Sequence, residues 1–315
     1  MFCIDDLTIG NKPQPCTGQD KCYDTSNDPI SCPTSSSAAF FGQDAYYAAN
    51  GYCAPRSFEI HGSGSEQTVY DTILGLEWQQ TIPTTGYTWA NAVSYCNGLT
   101  YAGYDDWRLP TPNELFSMMN NSTYGPATYT DYFTDTSNDV YYWTSKQYSG
   151  DTSKSWLISI RWGYTSTDTA SNSQDSSSNL YKVRCVRGSS LPDGNFSSST
   201  VNGNVIVTDS STGLIWTKTY PDTVKTWQEA LDYCENLTYA GFSDWRLPNK
   251  DELISLVNYG RRSPASNFPG MPSNRFWTSS SRPNLPERAF DVSFTDGEVS
   301  TYHKTDYSRY VRCVR

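Results

Sequence analysis

Histidine is nearly missing from this chain of 315 residues, which has only His61 and His303. Neither stands near a cysteine and no Cys-x-x-Cys pair occurs, so the usual ligand sets for zinc and c-type haem are missing. No HExxH, no GxSxG, no Walker loop and no GxGxxG after a strand is present, so the chemistries those motifs frame have no foothold. Basic charge is also short. Lys and Arg number 23 against 33 Asp and Glu, a net charge of −10. That argues against nucleic acid as the main partner, because phosphate binding needs a basic surface. No apolar run approaches the ~18–20 residues that cross a membrane, so no span is expected. The opening MFCIDD does not read as a signal peptide, and the expectation is that an export signal lies outside this numbering.

Nine cysteines are present, with 24 Tyr and 10 Trp. Nine is too many for idle thiols. With metal ligation unsupported, disulfides are the expectation, and they place the protein in an oxidising compartment, extracellular or at the cell surface.

The chain repeats itself. Residues 95–110 read YCNGLTYAGYDDWRLP and residues 233–248 read YCENLTYAGFSDWRLP, identical at 12 of 16 positions at an offset of 138. Trp78, Trp89, Cys96, Trp107 and Glu114 match Trp216, Trp227, Cys234, Trp245 and Glu252 at that same offset. Further on, YYWTSK (141–146) answers RFWTSS (275–280), and YKVRCVR (181–187) answers RYVRCVR (309–315). The pattern is a duplication. It places a first copy at 69–187, a turn-rich linker at 188–204 and a second copy at 205–315. Residues 1–68 read as a cysteine-rich extension packed on the first copy.

Each copy has the same predicted anatomy, an α+β domain with two helices beside a small antiparallel sheet. A hairpin opens it, as in VIVTDSSTGLIWTK. A first helix follows, in which Thr226 and Glu229 form a capping box and Trp227, Ala230, Leu231 and Cys234 share one face. Copy one has Trp89, Ala92, Val93 and Cys96 there, but Asn91 in place of the glutamate. WRLP is extended, because the residue before proline avoids the helical region. Thr111, Pro112 and Glu114 then start a second helix, and Asn249 and Glu252 start its counterpart. Leu115, Phe116 and Met119 point inward, as do Leu253, Ile254 and Val257. Cys96 on the first helix and Cys185 near the chain end of copy one recur as Cys234 and Cys313. One disulfide within each copy is the economical reading. Arg108 and Arg246 are expected to bridge carboxylates, Glu114 and Glu252 being candidates.

TW-x2-A-x2-YC, AG-x2-DWRLP, a glutamate four residues after the proline, FWTSS and a terminal YVRCVR together resemble the Lcl C-terminal domain family, across about 230 of the 315 residues. The resemblance implies a domain related to the C-type-lectin-like fold, found on exported bacterial proteins and in some cases binding sulfated glycans. The RLPT segment is similar to one in formylglycine-generating enzymes, and TGQDKCYD to FFGQDA (17–45) looks like a leader ahead of such domains. The calcium-lectin triplets Glu-Pro-Asn, Gln-Pro-Asp and Trp-Asn-Asp are missing, as is the active-site cysteine pair of the formylglycine relatives. Asp131, Asp135 and Asp139 stand four residues apart, unlike an EF-hand loop. No cofactor or metal is expected.

The extension holds Cys3, Cys16, Cys22, Cys32 and Cys53. Cys22–Cys32 and Cys16–Cys53 are candidate nested bridges whose connectivity sequence leaves open, with Cys3 unpaired or joined to another chain. Residues 258–315 carry nine Arg and Lys against five Asp and Glu. Arg261, Arg262, Arg275, Arg282 and Arg288 make the candidate ligand patch, since guanidinium forks suit sulfate, phosphate and carboxylate. The functional expectation is an exported, non-catalytic binding or adhesion protein for glycan or protein ligands. The alternatives are a subunit of an extracellular filament, docking its acidic front head to tail on its more basic end, and an enzyme of the formylglycine-generating fold group.

Overall fold

Both copies begin their helices where polar side chains replace the missing backbone partners of a first turn. The computed structural model describes residues 14–26, 28–134, 141–165 and 180–315. The extension contains β1 (Cys22–Tyr23), β2 (Pro29–Ile30) and α1 (Asp44–Ala49). Copy one follows with β3 (Phe58–His61), β4 (Thr68–Asp71), β5 (Leu76–Gln79), α2 (Trp89–Asn97), α3 (Pro112–Ser117), β6 (Tyr141–Gln147), β7 (Ser155–Ser159) and β8 (Val186–Arg187). Copy two has β9 (Phe196–Val201), β10 (Asn204–Asp209), β11 (Ile215–Thr217), α4 (Trp227–Glu235), α5 (Lys250–Ser255), β12 (Arg275–Ser281), β13 (Arg288–Ser293) and β14 (Val299–His303).

Capping boxes close the starts of α3, α4 and α5, through Thr111 with Glu114, Thr226 with Glu229, and Asn249 with Glu252. At α2 only half the box forms, Thr88 accepting from the Asn91 backbone. The repeated Ala-Gly has a local cause. Ala102 and Gly103, like Ala240 and Gly241, all have positive φ, so each pair makes the tight reversal between the flanking aromatics that leads into WRLP.

The sheets are antiparallel. In copy one the order is β3-β4-β5-β8, with β6-β7 as a second sheet; copy two has β11-β10-β9 and β12-β13-β14. Two segments read from sequence as lying outside the copies carry strands that pair with them. The segment taken as a linker, 188–204, carries β9, which pairs along its length with β10. The segment taken as extension, 1–68, ends in β3, which pairs with β4. Polar tips such as Ser197–Ser199 hid a strand whose backbone pairing, not its side chains, places it.

Among the described residues four disulfides staple the chain: Cys16–Cys53, Cys22–Cys32, Cys96–Cys185 and Cys234–Cys313. Cys3 lies outside the described residues. Around each long-range bridge sits a cluster private to its copy, with Trp107, Leu109 and Trp143 in one and Trp227, Trp245 and Trp277 in the other.

A third and larger cluster belongs to both copies. Leu115, Phe116, Trp156 and Ile158 pack in it with Leu253, Ile254, Tyr259 and Phe290. Helix α3 meets α5, and Trp156 meets Tyr259 edge-on at 5.3 Å. Polar bonds cross as well. Lys250 Nζ donates to Asn121 Oδ1 at 2.6 Å, and Thr165 exchanges hydrogen bonds with the Val299 backbone. The tandem copies share a core.

The extension read as 1–68 packs on both copies: residues 57–68 pair with copy one, while residues 14–56 make most of their polar contacts with copy two. Gln19 exchanges two hydrogen bonds with the Ser281 backbone, Gln228 accepts from the Phe40 backbone, Tyr47 donates to Glu235, and Ser280 donates to Asp44. Lys304 Nζ donates to the Asp24 carbonyl at 2.9 Å. Where copy two offers Gln228, Glu235 and Ser280, copy one has Ala90, Asn97 and Lys146 at the duplicated positions, and Ala90 has no side-chain acceptor to match Gln228. The covering explains a difference between the copies. Trp227 is buried under Phe40, whereas its counterpart Trp89 is half-buried.

Candidate binding site

A cavity of about 390 Å³ lies where the two copies, the 189–192 segment and the extension meet. Such a volume falls within the ~300–1,000 Å³ typical of small-molecule sites. The duplication lines it from both sides. Asn113, Phe116 and Ser117 of α3 face it together with Asp251, Ile254 and Ser255 of α5, the same three helix positions in each copy. Leu74 and Thr212, also duplicated positions, extend the match.

One charged residue of the extension reaches this junction. Arg56 Nη2 donates to Asp251 Oδ2 at 3.0 Å and its Nε donates to the Cys16 carbonyl. Its Nη1 stands 3.6 Å from Asp71 Oδ2 of copy one. The Arg56 side chain is only 2% exposed, so one guanidinium ties all three parts of the chain inside the protein. Nη1 of Arg56, Oδ1 of Asp251 and Oδ1 of Asn113 are buried without a hydrogen-bond partner. Native interiors leave few such atoms, and a bound molecule or water is the ordinary way to satisfy them.

Charge continues behind the cavity. Lys250 is fully buried, and burial pushes its ammonium down to about 8, against the pull of Asp251 and Asp44 and with the push of Arg56. Asp44, buried beside Thr17 and Ser280, is pushed up to about 7 by burial. Lys304, under the extension, is pushed down to about 7, again by burial. The sign for the lysines follows from linkage. Each folded pKa lies below the unfolded 10.5, so the unfolded chain binds more protons across the window between them. Their stability contribution is full above 10.5 and is lost as pH falls through about 8 for Lys250 and about 7 for Lys304. The denaturant midpoint is therefore expected to rise between pH 7.5 and 9.5, on the order of the window these shifts define. Lys250→Met is expected to flatten that rise, which paired urea titrations at the two pH values measure.

The arginines singled out from sequence lie in different surroundings, with Arg282 hydrogen-bonded through its backbone to Arg288 at 2.9 Å. Arg261 and Arg262 are exposed beside copy one, the Ser149 hydroxyl donating to the Arg261 carbonyl and Arg262 lying over Tyr148. Arg275 is engaged with Asp291 and Glu298 in an internal cluster. Arg282 is buried over Trp162 and Tyr164 of copy one, donating to Asn284. Arg288 reaches His303. Carboxylates engage the fork of Arg275, and aromatic rings and Asn284 engage that of Arg282, while Arg261 and Arg262 stay exposed. Arg108 and Arg246 grip Glu114 and Glu252 through paired hydrogen bonds, as the sequence reading anticipates, while Asp106 and Asp244 pair with Arg187 and Arg315. Asp131 is exposed, and Asp135 and Asp139 lie outside the described residues. Sequence reasoning missed the cavity. The available signal was the repeat of a polar second position and a serine sixth position on both second helices.

Together these features define a disulfide-stapled α+β protein made of two fused copies that share a core, with an extension strapped across them. The model of the Lcl C-terminal domain family matches residues 67–187 and 205–315, and the chain belongs to that family, with two copies in tandem. A comparison with curated proteins gives no match. Four disulfides and this family point to an exported protein. Among the described residues no helix is long and apolar enough to cross a membrane.

Proposed function

We propose that this protein is an exported, non-catalytic binding module that holds a glycan or peptide ligand between its two copies. The observation that carries the reading is the cavity of about 390 Å³, lined at duplicated positions from both second helices and backed by buried polar atoms without partners. Pairing of two short helices with two small antiparallel sheets in each copy supports a relation to the C-type-lectin-like fold. The exposed Arg261 and Arg262 remain as an accessory contact at the junction.

Head-to-tail assembly loses the attraction that motivates it. The acidic extension already lies against copy two of its own chain, where it meets Lys304 and Ser280.

The test is a panel of neutral, basic and sulfated glycans and of short peptides, applied to the full oxidised chain and to Ser190→Trp. Ser190 is exposed at the cavity edge, so a bulky ring there closes the mouth without entering the core. Binding by the natural chain that falls at least about tenfold in Ser190→Trp supports the cavity. Equal binding by both proteins refutes it.

A further inference from the structure

We propose that the cavity between the copies takes an uncharged or cationic saccharide unit rich in hydrogen-bond donors, an amino sugar, and not a sulfated or otherwise anionic one. This rests on the reading that the cavity is the ligand site.

The direction of the hydroxyl protons is the argument. Seven hydroxyl side chains line the wall, and all but Ser189 and Ser190 give their one proton inward. Ser117 donates to the Glu114 carbonyl and Ser255 to the Glu252 carbonyl, both at 2.7 Å. Ser211 and Thr212 donate to the two carboxylate oxygens of Asp209, and Ser210 donates to the Asn195 carbonyl. Carbonyl and carboxylate oxygens only accept, so the donor role of each hydroxyl is fixed. What remains on these oxygens is lone pairs. Asn113 behaves alike, its amide nitrogen donating to the Val257 carbonyl and its oxygen left without a partner. Asp251 keeps Oδ1 unpartnered. Acceptors therefore predominate on the two helices and the 210–212 turn, and their complement is a molecule that presents O–H and N–H groups.

Electrostatics point the same way. Asp251 lies in the wall, with Asp71 and Asp209 directly behind it through Arg56, Ser211 and Thr212. Among the described residues Arg56 is the one cationic side chain lining the cavity, and its charge is offset by Asp251, hydrogen-bonded at 3.0 Å, and by Asp71, 3.6 Å from Nη1. A sulfate placed here would face acceptors and carboxylates, an unfavourable arrangement in a space partly closed to water. An ammonium or amide N–H would meet them favourably. Leu74, Phe116, Leu191 and Ile254 supply apolar surface for the C–H faces of a ring. A pocket with apolar walls and a few fixed polar groups suits a sugar better than a flexible amine.

The experiment compares four sugars that differ at one substituent: glucosamine, N-acetylglucosamine, glucose and N-sulfoglucosamine. Each is titrated into the full oxidised chain by NMR at neutral pH. Glucosamine and N-acetylglucosamine are expected to bind at least about tenfold more tightly than N-sulfoglucosamine, a difference of about 1.4 kcal/mol. The double variant Ser117→Ala with Ser255→Ala, with its fold checked by circular dichroism, removes two acceptors and is expected to weaken glucosamine about tenfold. Preference for N-sulfoglucosamine, lost in Ser190→Trp, would overturn the ligand class and leave the cavity reading intact. Sugar binding that Ser190→Trp does not alter would overturn both. Failure of all four sugars, while the broader panel still binds through the cavity, overturns this inference alone.

Discussion

Replacing Cys234 and Cys313 by alanine is expected to lower the stability of the chain by about 4–5 kcal/mol. The bridge spans 79 residues of sequence and its partner, Cys96–Cys185, spans 89. In the chain-entropy model the value of a cross-link grows with the logarithm of the loop it closes. By that measure Cys22–Cys32, which spans only 10 residues, is worth about 2.5–3 kcal/mol. Both long bridges also sit at the centre of private aromatic clusters, so alanine leaves a void as well as a freed loop. Domains of ordinary stability have about 5–15 kcal/mol in hand, so losing both long bridges is expected to unfold the protein at 37 °C. Urea titrations of each double-alanine variant, followed by tryptophan fluorescence, measure the order: either long bridge costs more than Cys22–Cys32. A smaller loss for the long bridges than for the short one would contradict the assignment of scaffold to these sulfurs.

Trp156→Ala carries the second large effect, about 3–5 kcal/mol. Trp156 is fully buried in copy one, edge-on to Tyr148 of its own copy and to Tyr259 of the other, each at 5.3 Å. Its removal opens a cavity at the contact between copies, and neither side can close it alone. The counterpart in copy two, Phe290, occupies the same strand position, and Lys250 lies over its ring at 4.9 Å. The cost is therefore expected to appear as loss of protection in both copies. A private core would confine it to one.

Much of each copy was readable from the chain. Thr226 with Glu229, Thr111 with Glu114 and Asn249 with Glu252 are local signals, and local signals decide helix starts. The helix-to-end bridges were legible because duplication kept the pairs together. What sequence withheld is what depends on contacts distant along the chain. The arginines looked like a patch because they are close in sequence, yet Arg275 faces Glu298 and Arg282 lies over Trp162 of the other copy. The extension's choice of copy two rests on Gln228, Glu235 and Ser280, three residues that declare nothing until Phe40, Tyr47 and Asp44 are beside them. The cavity is the clearest case. Asn113 and Asp251 are the second residues of two short helices, and only the packing of α3 on α5 turns their sides toward one space.

Residue-resolved hydrogen exchange on Trp156→Ala tests most directly whether the fused copies behave as one body around that space. The account predicts that amides of α5 and β13, across the junction, lose protection together with those of α3 and β7. Unchanged protection throughout copy two, with loss confined to copy one, would mean that the halves fold independently and that nothing holds a shared site between them.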